Sequence, residues 1–147
     1  MDTPVRSLLK QKGTFVLTTP PTASVFESIR RMVDHNLGAI VVTDDASIAG
    51  IFTERDYLRR IVLQGRTSRN TAVSEVMTTN LVVATPDTTV ETCLSLMTTA
   101  RCRHLPVIED DRLAGLVSIG DCVKHLLQAA EAQVDTLERY VRGEYPG

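Results

Sequence analysis

Two short stretches carry the residue types that could do chemistry: Gly50-Ile51-Phe52-Thr53-Glu54-Arg55-Asp56 and Gly115-Leu116-Val117-Ser118-Ile119-Gly120-Asp121. In each, a hydroxyl precedes a carboxylate by three positions, directly after an apolar run. Ser or Thr at an N-cap with an acidic residue at N3 satisfies orphan amides at a helix start, so the first expectation is a capping box. The same turn is also an anion site, because a helix N-terminus presents free N–H groups and the positive end of its dipole. A hydroxyl there donates to phosphate, and a carboxylate one turn in accepts both hydroxyls of a ribose. Taken singly, the spacing favours a cap. Found twice at equivalent places, glycine included, it points to a ribose and phosphate site. Gly50 and Gly115 then let backbone or ligand approach where a side chain would intrude.

The two stretches belong to a longer duplication. At a constant shift of 65 residues, that from Gly50 to Gly115, Pro21 meets Pro86, Val25 meets Val90, Met32 meets Met97, Val42 meets Val107 and Asp45 meets Asp110. Each copy reads as strand, helix, strand, strand, helix. Phe15-Val16-Leu17 and Leu81-Val82-Val83 are short apolar runs closed by prolines, as strands are. Ser24-x-x-Glu27 and Thr88-x-x-Glu91 predict capping boxes for helices in which Val25, Ile29, Met32 and Val33, or Val90, Leu94 and Met97, repeat at helical spacing. Ile40-Val41-Val42 and Leu105-Pro106-Val107-Ile108 run through polar turns into hairpins. A second helix spans Glu54 to about Gln64 in copy one. In copy two it is longer, with an apolar stripe of Val123, Leu126, Leu127, Ala130, Val134, Leu137 and Val141. Short lead-in helices are expected over Val5 to Lys12 and Val73 to Met77. A sheet this small covered by two helices leaves a face open, so the copies should pack on each other about a pseudo-two-fold axis.

Composition narrows the function classes. The chain has 147 residues, 43% hydrophobic and 23% charged, as an ordinary globular module does. A net charge of −2 with no basic run argues against nucleic acid or an anionic membrane as partner. No apolar run approaches the roughly 18 residues of a spanning helix. The Met1-Asp2-Thr3-Pro4 start carries no export or import signal, which makes the cytoplasm the expected compartment. Three cysteines without paired spacing suggest free thiols and no metal centre. A nucleophilic enzyme would have to use Cys102, His104 and Cys122, but packing explains these residues more simply, and a non-catalytic protein is expected.

The repeat, the two glycine-led turns and Arg103-His104-Leu105-Pro106-Val107 together resemble a pair of CBS domains, named for cystathionine β-synthase and forming what is called a Bateman module. The resemblance covers roughly residues 5 to 128. It implies an α+β fold of two β-α-β-β-α units packed through their sheets: repeat one with its lead-in over residues 1–69, repeat two over 70–128, and a helical extension over 129–147. It implies clefts for adenosine-containing ligands such as AMP, ADP, ATP, NAD(H) or S-adenosylmethionine, with the Asp on the ribose, the Ser or Thr on the phosphate and strand edges on the adenine. Carried over by position, Thr53 and Asp56 face Thr78, Asn80, Leu81, Val82, Arg103 and His104, with Arg55 adding a contact. Ser118 and Asp121 face Gly13, Thr14, Phe15, Leu17, Leu37, Gly38 and Ala39. The donors Arg103 and His104 would make the Asp56 cleft the tighter one for phosphate. The resemblance also implies a signalling role, energy sensing among the forms it takes, through a separate effector protein, and assembly as a homodimer. The alternative is an interaction scaffold acting through the C-terminal helix.

Overall fold

A computed structural model describes residues 3–143. Helix α2 (Val25–Asp34) starts where the Ser24 hydroxyl accepts from the Glu27 amide at 3.1 Å. Its counterpart α4 (Val90–Ala100) starts one residue later than expected: Thr89, not Thr88, accepts from the Thr92 amide at 3.1 Å. Thr88 instead accepts from the Thr85 amide at 3.0 Å and closes the preceding turn. Thr89 is the residue 65 positions after Ser24, so the duplication located this cap better than the capping-box pattern did.

In copy one, β1 (Thr18–Thr19), β2 (Ala39–Asp44) and β3 (Ser47–Thr53) form a sheet, with β1 parallel and β3 antiparallel to β2. In copy two, β4 (His104–Glu109) pairs with β5 (Arg112–Ser118) alone. The turns joining each hairpin place Asp45, Asp110 and Asp111 at positive φ, where a short polar side chain tolerates the left-handed region. The apolar runs expected as first strands behave differently. Thr18–Thr19 takes the place expected of Phe15-Val16-Leu17, and Leu81-Val82-Val83 forms no strand, leaving one bridge from Ala84 to Val107. Proline is the physical reason. In copy one the Val41 amide donates to the Leu17 carbonyl at 2.9 Å. The residue equivalent to Val41 is Pro106, which has no N–H to donate.

The second helix of copy one is α3 (Glu54–Tyr57), which widens into a π-helical turn over Leu58–Val62, with the Leu63 amide on the Leu58 carbonyl at 3.0 Å. In copy two it is a single helix, α5 (Ile119–Val141). The last four residues of the expected extension lie outside the described residues.

The two cores are closed by an exchange the sequence did not reveal. Helix α1 (Val5–Lys12) precedes copy one but packs Val5, Leu8 and Leu9 into the core of copy two, against Val90, Met97, Leu105 and Val117. The short helical turn Val73–Glu75 precedes copy two but packs Val73 and Val76 into the core of copy one, against Val25, Met32, Ile40 and Phe52. Matching backbone bonds hold both: Val5 amide to Thr88 carbonyl and Val90 amide to Thr3 carbonyl, each 2.8 Å, answered by Val73 to Ala23 at 2.8 Å and Val25 to Thr71 at 2.9 Å. Each buried Val or Leu in these seals is worth about 1.5–3 kcal/mol, so neither core is complete without a segment from the other side. Strands β3 and β5 also touch where the repeats meet.

Candidate functional site

Both turns are capping boxes. The Thr53 amide donates to Asp56 Oδ2 at 3.0 Å and the Asp56 amide to Thr53 Oγ1 at 3.2 Å. The Ser118 amide donates to Asp121 Oδ2 at 2.9 Å and the Asp121 amide to Ser118 Oγ at 3.1 Å. Beyond the caps the turns differ. Asp56, 7% exposed, takes two further bonds from the protein, from Thr53 Oγ1 at 3.1 Å and from Thr78 Oγ1 at 3.0 Å to its Oδ1. Asp121 is paired instead with the Lys12 ammonium, whose Nζ lies 2.5 Å from Oδ2 and 2.6 Å from the Leu116 carbonyl. Among the described residues none donates to Asp121 Oδ1. Burial works to raise the Asp121 pKa, but the Lys12 contact and the Ser118 amide outweigh it and hold the carboxyl below its usual value.

The glycines serve packing. A Cβ at Gly50 would lie 2.7 Å from Met77 Sδ and 2.8 Å from the Thr78 carbonyl oxygen, because Ile51 and Thr78 exchange backbone bonds of 2.8 and 3.0 Å. A Cβ at Gly115 would lie 2.9 Å from a δ-carbon of Leu9. What approaches closely at each glycine is the exchanged lead-in, which in copy one also delivers Thr78 to Asp56.

Strand register divides the remaining residues differently from expectation. His104 stands opposite Ser118, and Ala39 opposite Thr53. His104, expected beside Asp56, thus stands across from Ser118 of the Asp121 turn, and Ala39 across from Thr53 of the Asp56 turn, each on the strand that pairs within its own copy. Burial lowers the His104 pKa, with the Lys12 and Arg103 charges acting the same way against Asp121, so the ring is neutral at pH 7. A Cβ at Gly38 would come within 3.9 Å of His104 Cε1 and 3.4 Å of Glu54 Oε1, which places Gly38 where the two turns adjoin. The Gly38 and Arg103 carbonyls accept from the Glu54 and Ile119 amides at 3.1 and 2.9 Å. Arg55 reaches across to the Arg101 carbonyl at 3.3 Å.

Leu17 is buried in the core of copy one and offers no side chain to a cleft. Phe15 is 67% exposed and stacks on His35, centroids 5.8 Å apart. Leu37 lines a groove of about 250 Å³ with Met32, Val33, Glu54, Tyr57 and Leu58. Gly13, at positive φ, ends α1 beside Lys12, and Thr14 and Asn80 are exposed. Leu81 and Val82 are half-buried, Val82 against the core of copy two. Lys12 was missed from sequence. Its signal was a basic residue at the end of a lead-in, but only the exchange of lead-ins carries it to Asp121. Burial pushes the Cys102 thiol up, and Cys122 is pushed up by its hydrogen bond to Cys93 and by burial, while the same bond lowers Cys93.

Two α/β units, each closed by the other's lead-in and each presenting a hydroxyl-carboxylate turn at a helix start, define a paired-repeat module. The CBS domain model matches residues 13–63 and again residues 73–128, and the chain belongs to that family. Among its relatives is CBSX3 of Arabidopsis thaliana, a CBS domain-containing protein named as mitochondrial, 39% identical over 97% of this chain and 74% of that one. A CBS-domain protein of Burkholderia ambifaria matches with TM-score 0.83 at 41% identity, covering 86% of this chain and 95% of that one. A more distant CBS domain pair, solved with 5′-methylthioadenosine and S-adenosyl-L-methionine, shares the fold with TM-score 0.75 at 22% identity over 88% of this chain and 99% of that one. Among the described residues no helix is long and apolar enough to cross a membrane.

Proposed function

We propose that this chain is a non-catalytic regulatory module that binds an adenosine-containing ligand at its two turns and passes the resulting conformational difference to a separate effector protein. The observation that carries this reading is the Asp121 turn. A carboxylate with Oδ1 uncommitted among the described residues, the Ser118 hydroxyl, the neutral His104 ring and the Lys12 ammonium surround one helix start. Ribose hydroxyls suit the carboxylate, and phosphate suits the ammonium and the helix end. The adenosine ligands of the distant CBS pair support the choice of class. The Asp56 turn is the weaker of the two, because its carboxylate is nearly buried and its Oδ1 already accepts from the Thr78 hydroxyl. This reverses the ranking drawn from the sequence, whose basis was Arg103 and His104, with Arg55, at the Asp56 turn.

A ligand that binds only the folded state stabilises it by mass action, about 2.7 kcal/mol at a hundredfold excess over Kd. Thermal shifts with AMP, ADP, ATP, NAD(H) and S-adenosylmethionine test the class, and calorimetry on Asp121→Asn and Asp56→Asn tests the turns. Asn keeps an acceptor for the cap and removes the charge, so Asp121→Asn should weaken binding roughly tenfold or more, as loss of charged hydrogen bonds does. A larger loss from Asp56→Asn would restore the opposite ranking. If no compound shifts the melting point, the chain is a scaffold and the clefts are relics.

A further inference from the structure

Helix α5 runs well past the second repeat, whose family match ends at residue 128. From residue 127 to residue 143 every position is exposed. Yet Val123, Leu127, Ala130, Val134, Leu137 and Val141 recur at alternating steps of four and three, which is the seam of a left-handed coiled coil, with Leu127, Val134 and Val141 at a and Val123, Ala130 and Leu137 at d. The seam is about 27 Å long at 1.5 Å per residue. The opposite face is polar, with Asp135 and Arg139 paired at 3.2 Å along the helix. Within the module α5 turns Cys122 inward, leaving Val123 and Leu127 exposed at the start of the seam.

We propose that α5 of one molecule pairs antiparallel with α5 of a second copy, centred on residue 132, joining two modules through their C-terminal helices. Charge selects both the occupant and the direction. In an antiparallel pair each a residue meets a d residue of the second copy, so Leu127 faces Leu137, Val134 faces Ala130 and Val141 faces Val123. The e positions then face one another: Lys124 meets Glu138 twice, and Glu131 meets Glu131 at the centre. In a parallel pair the flanking contacts become Leu126 with Glu131 and Gln133 with Glu138, without an opposite-charge match. Antiparallel helix dipoles add to the preference. Two helices packed over this length cover on the order of 1,000 Å², near the lower bound for a specific interface.

Sedimentation equilibrium on the full chain at graded concentration, without added nucleotide, tests this independently of ligand binding. A dimer is expected for the native sequence. Val134→Glu with Leu137→Glu should weaken it more than ~100-fold while leaving the melting of the module intact, because both residues are exposed and far from either core. Lys124→Glu should weaken the dimer roughly tenfold, and adding Glu138→Lys should restore it, since the swap preserves the pairing. Glu131→Gln should tighten it about two- to fivefold by removing the central like-charge contact. A monomeric native chain at ~100 µM, a dimer indifferent to the two seam glutamates, or a charge swap that fails to rescue would each overturn the proposal.

Discussion

Replacing Lys12 with Met tests whether the ion pair at the Asp121 turn holds the lead-in helix to the second repeat. Met keeps most of the apolar stem and removes the ammonium. Breaking one side of a fully buried pair costs about 3–5 kcal/mol, but here a quarter to a third of each side chain is exposed, 25% for Asp121 and 34% for Lys12. Asp121 also keeps its bond from the Ser118 amide. The cost at pH 7 should therefore fall to about 1–1.5 kcal/mol. For a chain of this size that lowers Tm by roughly 2–6 °C. The sign with pH follows from the depressed Asp121 pKa. A carboxyl whose pKa is lower folded than unfolded stabilises fully above its unfolded value, about 3.9, and loses that contribution as pH falls through the folded one. In Lys12→Met that lowering is largely gone, so the gap between native and variant Tm should be constant from pH 7 to 5 and close below about pH 4. Melts by circular dichroism at pH 7, 5, 4 and 3 read it directly. A gap that survives unchanged at pH 3 would place the loss in stem packing, and no gap at pH 7 would mean the pair contributes nothing.

The two glycines that face the lead-ins should differ in tolerance. Gly50→Ala drives a methyl against Met77 and the Thr78 backbone and should cost about 1–3 kcal/mol, whereas Gly115→Ala meets only the movable tip of Leu9 and should cost less than about 1 kcal/mol by thermal denaturation; equal costs would refute the distinction. Pro106→Val supplies the missing ladder donor. The new amide at position 106 should become strongly protected in hydrogen exchange while Tm moves little, the added bond being offset by the lost stiffness of proline; a fast-exchanging amide there would remove proline as the reason copy two lacks its first strand.

The duplication was legible because period and residue type survive in sequence: the hairpins, the caps at Ser24, Thr53 and Ser118, and the inner faces of α2 and α4 follow from them, except that Val33, at the same helical spacing, is 70% exposed. What depended on the chain's return path was not. Nothing local to Val5-Arg6-Ser7-Leu8-Leu9 says that its core lies a hundred residues onward, and Lys12 is invisible as a site residue until that path is known. That His104 stands opposite Ser118 was not legible either, because alternation gives a face, while register gives the neighbour. The missing first strand of copy two was within reach, since Pro106 stands in the sequence at the place where a donor is needed.

The exchange of lead-ins also orders events during synthesis. Repeat one can close as soon as Val73 and Val76 have been made, because its seal follows it in the chain. Repeat two must wait for α1, which is translated before it and has no core to join until β5 and Cys122 exist. Helix α1 therefore remains an unsatisfied amphipathic segment while both repeats are being made, exposed to chaperones. A helix made before either core is among the last elements to find its place.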